Sequence, residues 1–233
     1  MNNPDRTLTE SVEAQLLWQA MRARHSVRTY LDKPIDGVLR TKLAQQIDSC
    51  NRKGGLHIQL VTDEPKAFGS TMAHYGKFSG VTNYIALIGP KDAAETCGYY
   101  GEHLALYAQQ QGLNTCWVAL TYSRIKGAYQ LGANEKLHLV IAIGYGATQG
   151  TAHRSKAMGE LCRVNGDMPD WFRRGMEAAM LAPTALNQQK FTFSLDGRRV
   201  SAKSGFGPHA KTDLGIAKYH FEAGAGKENF EWA

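Results

Sequence analysis

The sequence predicts an α+β fold. Three observations carry the expectation: apolar residues recur at helical spacing in several stretches, shorter apolar runs of strand length lie between them, and Asp196-Gly197 forms a two-residue hairpin signal. Thr7-Leu8-Thr9-Glu10 reads as a capping box, and Val12, Leu16, Ala20 and Ala23 then follow helical spacing, so a first helix is expected to end near Arg22. A second helix should begin after Asp36, carry Val38, Leu39, Leu43 and Ile47 on one face and stop at Gly54-Gly55, with Arg40 on its exposed face. Residues 57–62 and 84–88 are strand candidates, the second apolar enough to sit inside a sheet. Cys97, Gly101, Leu104 and Ala108 mark a third helix, closed by Gly112 where a left-handed residue is wanted. Residues 137–143 form another buried strand. Asp170 can cap a helix through Met180, which must stop before Pro183 because the ring removes a donor and disfavours helix in the preceding residue. Strands at 191–195 and 198–200 flank the hairpin signal, and a last helix covers about 213–223.

Composition narrows the function classes. Of 233 residues, 43% are hydrophobic and 21% charged, which is globular usage and excludes a disordered, collagenous or coiled-coil chain. A chain of this length buries roughly 70% of its unfolded surface, so it needs neither a disulfide nor a metal to hold a core. Cys50, Cys97, Cys116 and Cys162 are too far apart for any CxxC pair, which disfavours a zinc ribbon, a thioredoxin-like motif and a disulfide framework. No metal ligands are assigned. The N-terminal residues lack the basic-then-apolar order of a secretory signal, and no apolar run approaches the roughly 20 residues that span a bilayer. A cytoplasmic protein without a membrane partner is expected. Lys and Arg exceed Asp and Glu by 27 to 21, yet no block of five or six cations appears. That pattern disfavours nucleic acid as a partner and suits a small phosphorylated ligand equally well.

The chain also resembles itself. Residues 42–117 run helix, Asn51, strand, Gly-bearing helix, Gly112, Asn114, Trp117, and residues 176–232 run helix, Asn187, strand, Gly-bearing helix, Gly226, Asn229, Trp232. An internal duplication is expected from this order, against chance recurrence of helix-strand-helix.

Four segments could carry chemistry. In Arg24-His25-Ser26-Val27-Arg28, two guanidiniums separated by a hydroxyl make a phosphate clamp; the alternative is a solvated helix end. The stretch Ala182-Pro183-Thr184-Ala185-Leu186-Asn187-Gln188-Gln189-Lys190-Phe191 is crowded with side-chain amides, which donate and accept and so suit the polar edge of a planar heterocycle; a plain polar loop is the alternative. Trp117-Val118-Ala119-Leu120 could let backbone N–H groups approach a flat ligand, or could be a buried strand with a core Trp. Gly144-Tyr145-Gly146 leaves a strand and is followed by His153-Arg154-Ser155-Lys156, a second pair of cations. The glycines at 144–150 miss the dinucleotide fingerprint by one residue and no helix follows at once, so a Rossmann fold is rejected.

Together these segments resemble the nitroreductase family of flavin mononucleotide (FMN) oxidoreductases. Arg24–Arg28 looks like the family's Arg-x-Ser-x-Arg phosphate motif, residues 182–191 like its Pro-Ser/Thr-x-x-Asn segment, 101–120 like its central helix and the strand end facing flavin N5, and 144–156 like its late Gly-Tyr-Pro and Arg-Lys element. Lys190, Phe191 and Gly146 depart from the usual Pro, Trp and Pro. So does the order: the proline-asparagine segment ordinarily follows the phosphate motif by a few tens of residues, and here it lies more than 150 residues on, while 47–56 reads IDSCNRKGGL. In the ordinary homodimer each flavin is held by the phosphate motif of one subunit and the proline-asparagine segment of the other. The chain therefore resembles the subgroup with the fold duplicated in one chain, a pseudodimeric monomer with a homodimer still possible. The resemblance implies a first half at 1–165, a shorter second half at 166–233, and one FMN.

It further implies hydride transfer from NADH or NADPH to the flavin and on to a nitroaromatic, quinone or similar acceptor, with the cofactor carrying the chemistry and no catalytic side chain. Arg24, His25, Ser26 and Arg28, helped by Arg154 or Lys156, would hold the phosphate. Pro183, Thr184, Asn187 and Gln188 would meet the isoalloxazine or ribityl, and the backbone along Trp117, Val118 and Ala119 would stabilise the reduced flavin. The rival reading is a protein that stores or senses FMN without turnover.

Overall fold

A computed structural model describes residues 4–233, with side chains for 12–71 and 73–233. The capping box expected at Thr7-Leu8-Thr9-Glu10 lies outside the described side chains. In chain order the elements are α1 (Pro4–Ala23), α2 (Gly37–Gly54), β1 (Gln59–Val61), α3 (Thr71–Tyr75), β2 (Tyr84–Pro90), α4 (Ala94–Gln110), β3 (Asn114–Val118) and β4 (Glu135–Gly144). There follow α5 (Met158–Leu161), β5 (Cys162–Val164), α6 (Asp170–Ala179), β6 (Phe191–Asp196), β7 (Arg199–Ser204), α7 (Ala210–Ala225) and β8 (Glu231–Trp232).

These elements fall into two compact units, a continuous one, Arg24–His153, and a split one, Met1–Ala23 with Arg154–Ala233. The division differs from the expected one at 165/166. The second crossing comes before α5 because α5 and β5 pack on β6, and α1 groups with the C-terminal residues because it packs on α7.

In the continuous unit an antiparallel sheet has the order β1-β2-β4-β3. Side chains alternate across it. Ile85, Leu87, Leu139, Ile141 and Ile143 meet Leu39, Leu43 and Ile47 of α2 and Leu104 and Ala108 of α4, while Tyr84, Ala86, Val140, Ala142, Cys116 and Val118 meet Phe68, Phe78 and Tyr122 on the opposite face. A shift in register between Leu87 and Ile88 reverses the phase of β4, which puts Leu137 on the Tyr84 face although its parity matches Leu139. Covered on both faces, β2 is apolar throughout, as a central strand must be. Asp36 caps α2 by accepting from Leu39 N at 2.8 Å, and Gly55 closes it with φ +60°. Two expectations on this helix change: Val38 is 70% exposed, and Arg40 is a bidentate partner of Asp63 at 2.8 and 3.2 Å. Burial pushes the Cys50 thiol up to about 11 and Cys97 to about 12, so both are inert packing groups.

The split unit has a mixed sheet, β5-β6-β7-β8, parallel at both ends and antiparallel between β6 and β7. Its core is aromatic. Phe221 stacks on Phe193 at 4.7 Å and meets Phe172 and Phe230 edge-on, both at 5.3 Å. Helices α6 and α7 approach closely at glycines, since a Cβ on Gly175 would lie 2.7 Å from the Phe221 ring and one on Gly224 would lie 2.5 Å from the Arg174 carbonyl oxygen. The cap of α6 is Pro169 rather than Asp170, which is its first residue. The hairpin turns one residue later than expected, because Asp196 pairs with Arg199 and leaves Gly197, at φ +58°, and Arg198 as the loop. No helix among the described residues is long and apolar enough to cross a membrane.

Candidate functional site

The Arg24–Arg28 stretch runs extended and is hydrogen-bonded along its length inside the continuous unit. Val27 N donates to Thr115 O at 3.1 Å, Ser79 N donates to Arg28 O at 3.0 Å, and Ala147 N donates to Thr29 O at 2.9 Å. Alternate residues of an extended chain share a side. Their side chains gather accordingly: the Ser26 hydroxyl and the Arg24 and Arg28 guanidiniums all act on the buried Cys116 thiol. Burial raises the thiol's pKa, and Arg28, Ser26 and Arg24 oppose that rise.

The two arginines differ. Arg28 is exposed and lies over the Phe78 ring at 5.9 Å, with its guanidinium at the surface. Arg24 is 3% exposed, its Nε 3.5 Å from Glu102 Oε1, and neither its Nε nor its Nη1 makes a hydrogen bond. Thr115 Oγ1 beside the same strand path is buried and unbonded too. Buried donors without acceptors are costly, so such a group needs an explanation. A phosphate supplies acceptor oxygens and negative charge, and the donor set fits one.

Glu102 was not singled out in the sequence, although a carboxylate beside Gly101 on the apolar face of a helix is a signal. Its Oε2 accepts from Trp117 Nε1 at 2.9 Å. Gly101 makes room for that indole, since a Cβ there would lie 2.5 Å from Trp117 Cη2. The Trp117 side chain is therefore packed under α4, Val118 is buried on the opposite face, and Ala119 packs with the α2–α4 layer. What this strand can offer a ligand is backbone: β3 is an edge strand, bridged on its outer side to Ser26 at Thr115.

The glycines of 144–150 act by close approach. A Cβ on Gly146 would lie 2.7 Å from Asn114 Oδ1 and 2.9 Å from Val27 Cγ1, and one on Gly150, at φ +71°, would lie 2.8 Å from His25 Cβ. Asn114, buried, accepts from Gly146 N at 3.0 Å and donates to Gln149 Oε1 at 3.0 Å. This loop fixes the backbone of Val27 and the half-buried His25 from one side while β3 fixes it from the other.

In the split unit the stretch that joins α6 to β6 is held by its own amides. Asn187 Nδ2 donates to Arg154 O at 2.9 Å, Gln189 Nε2 donates to the same oxygen at 2.9 Å, and Gln189 N donates to Thr184 Oγ1 at 3.0 Å. The Lys156 ammonium donates to the carbonyls of Gln188 at 3.0 Å and Gln189 at 3.3 Å, so its charge serves the turn; the Arg154 side chain is exposed. Leu186, Asn187 and Gln189 all have left-handed φ, at 54°, 51° and 46°. Each such non-glycine residue costs on the order of 1–3 kcal/mol and persists only where neighbours over-determine it. Pro183 and Thr184 lead into this turn half-buried, and Leu186 at its tip is 93% exposed.

Asp213 of α7, also missed in the sequence except as a helix start, anchors the turn. It accepts from Ala185 N at 3.0 and 3.1 Å and from Gln188 Nε2 at 2.7 Å. Burial raises its pKa, while Gln188, the Ala185 N–H and His209 pull the other way. Gln188 Nε2 also donates to Pro208 O at 2.7 Å.

The two units thus define a class: an α+β protein with a cationic, donor-rich segment beside an edge strand. Residues 16–225 match the family described as "Putative TM nitroreductase", and the chain belongs to that family. It is similar to the crystal structure of a "putative nitroreductase" from Thermotoga maritima MSB8, at 22% identity and a TM-score of 0.61, covering 89% of this chain and 82% of that one. It is also similar to a "putative nitroreductase in complex with FMN" from Desulfovibrio desulfuricans, at 18% identity and a TM-score of 0.48, covering 72% and 100%. A "putative NADH dehydrogenase/NAD(P)H nitroreductase" from Bacteroides thetaiotaomicron VPI-5482 matches at 22% identity and a TM-score of 0.45, covering 62% and 95%. No curated protein matches the chain.

Proposed function

We propose that this chain is an FMN-dependent oxidoreductase that takes reducing equivalents from NADH or NADPH and passes them to a nitroaromatic, a quinone or a similar small acceptor. Membership of a nitroreductase family supports the class of reaction. The observation that carries the cofactor is the buried Arg24 guanidinium with two unbonded nitrogens, in line with Ser26 and the exposed Arg28.

Arg24, Ser26 and Arg28 would hold the phosphate, with the His25 backbone fixed beside them. Glu102 would keep Arg24 oriented, because one carboxylate oxygen faces its Nε and the other is taken by Trp117. Backbone N–H groups at Val118 and Ala119 would offset negative charge on a reduced ring, by the logic of an oxyanion hole. In the split unit, Thr184, Asn187 and Gln188 would present the turn's backbone and remaining amide faces to the ring or ribityl, with Arg154 as a further cation. Bound FMN would supply two-electron redox chemistry, and the protein binding, orientation and hydrogen bonding. One FMN per chain, held by a single chain whose halves arose by duplication, belongs to the same proposal. Trp117 and Trp232 support it, each donating to a Glu of the preceding long helix, at 2.9 Å to Glu102 and 2.8 Å to Glu222.

The test is to denature freshly purified protein, quantify the flavin released per chain, and follow NADH and NADPH oxidation with and without a nitroaromatic or quinone. One FMN and acceptor-dependent oxidation are expected. Protein without flavin that takes up none from solution sinks the proposal, and flavin without nicotinamide oxidation makes the protein a store or sensor instead.

A further inference from the structure

We propose that Asp213 is the positioning residue of the 182–190 turn, holding it in the conformation that presents its exposed tip, Leu186 and Asn187, to a ligand. The inference deepens the flavin reading and rests on it for the identity of the ligand alone. The turn cannot choose its shape locally: three of its residues sit in the left-handed region, which neither Leu nor Gln favours. It must stop α6 ahead of Pro183 and still enter β6 at Phe191, and Asp213 engages it at two points, the Ala185 N–H and the Gln188 side-chain amide. These points flank Leu186 and Asn187, the two adjacent left-handed residues.

The geometry is specific to a carboxylate. Every atom that approaches Asp213 in the turn is a donor, so both of its oxygens accept. An Asn at 213 would keep the bond from Ala185 N and turn its own NH₂ toward the Gln188 NH₂. Rotating the Gln188 amide would cure that clash by aiming its oxygen at the Pro208 carbonyl, which now receives its Nε2. Gly207 leaves little slack, since a Cβ there would lie 2.5 Å from Gln188 Oε1. The carboxylate is buried and stands in the first turn of α7, where the helix N-terminus favours negative charge.

The experiment compares three variants with the wild type: Asp213→Asn, the exchanged pair Asp213→Asn/Gln188→Glu, and Gln188→Met, which leaves the carboxylate in place should the first fold poorly. Amide hydrogen exchange across 183–190 is measured on the apoprotein, together with FMN affinity by flavin fluorescence and the thermal midpoint. Asp213→Asn should speed exchange at Ala185 and through the turn and weaken FMN about 10-fold or more, the size of one charge-assisted hydrogen bond. The exchanged pair lets the amide introduced at position 213 donate to the carboxylate introduced at position 188 but leaves the Pro208 carbonyl facing an anion, so it should exchange as fast as Asp213→Asn and recover no FMN affinity. Gln188→Met should speed exchange in the same segment. A lower thermal midpoint with unchanged exchange in the turn and unchanged FMN affinity overturns the proposal, because that is what a merely structural carboxylate gives. If the wild type binds no FMN, the flavin reading fails and the exchange data decide alone: acceleration confined to the turn upholds the positioning role, and no acceleration or a global one overturns it.

Discussion

The continuous unit and the split unit solve the same problem with different chemistry. The first covers its sheet with aliphatic side chains on the helix face and with Phe68, Phe78 and Tyr122 on the other, and leaves two guanidinium nitrogens of its candidate segment unbonded; the second builds its core as one aromatic cluster and commits nearly every amide of its candidate turn to backbone carbonyls. The difference shows where recognition can come from. Arg24, Ser26 and Arg28 present side-chain donors on a backbone fixed by β3 and the 144–150 loop. In the 182–190 turn the side chains hold the backbone, and the turn offers the shape they impose.

The largest expected effect tests the aromatic half. Phe221→Ala removes a fully buried ring that touches Phe172, Phe193, Phe230 and Trp232, and should cost about 3–5 kcal/mol in chemical denaturation. A loss below about 1 kcal/mol would mean the cluster is not the split unit's core.

A smaller effect separates the two arginines. Arg28→Ala should weaken FMN binding on the order of 10- to 150-fold, the value of a charge-assisted bond of about 1.5–3 kcal/mol, with a thermal midpoint close to wild type because the residue is exposed. Lys42→Ala, on the exposed side of α2, is the control, since Arg40 is engaged by Asp63. Equal affinities for Arg28→Ala and Lys42→Ala would reduce the stretch to a solvated helix end.

The smallest effect is a pair of opposed pH dependences. Glu135 of the continuous unit accepts from the His57 ring at 2.8 Å and from Gly132 N at 2.7 Å, which lowers its pKa; its stabilisation is present above the unfolded carboxyl range and is lost as pH falls through the lowered folded value. Asp213 has its pKa raised by burial, so its contribution is full below the unfolded value and is lost as pH rises through the raised folded one. Denaturant midpoints followed across the acid range should therefore lose one slope in Glu135→Gln and the opposite slope in Asp213→Asn. For the partly exposed Glu135 the change should stay below about 1 kcal/mol. Parallel changes in both variants would show that the two carboxylates are not in opposite environments.

Much of the architecture was legible from local pattern. The Asp36 cap, the Gly55 and Gly112 stops, the buried run of β2 from Tyr84 to Gly89 and a hairpin joining β6 to β7, though not its register, follow from backbone chemistry within a few residues. The exposed Val38 and the paired Arg40 were not legible, because which helix face is covered depends on what a distant segment brings to it. The short β5 and β8 were missed for the same reason: two or three residues carry no period, and each exists because β6 or β7 offers it an edge.

The sequence by itself determined the α+β class, the order of the long elements, the family and the residue types of a phosphate-directed segment, because these are written in periodicity, caps and short motifs. Only the tertiary structure decided which of those residues keep free donors. Arg24 is buried against Glu102, Lys156 is drawn onto two carbonyls, Trp117 is turned under α4, and Asp213 holds the turn that precedes β6. A hydrogen bond is formed with whatever partner the fold brings within about 3 Å, and for Trp117, Lys156 and Asp213 the partner comes from 15 or more residues away.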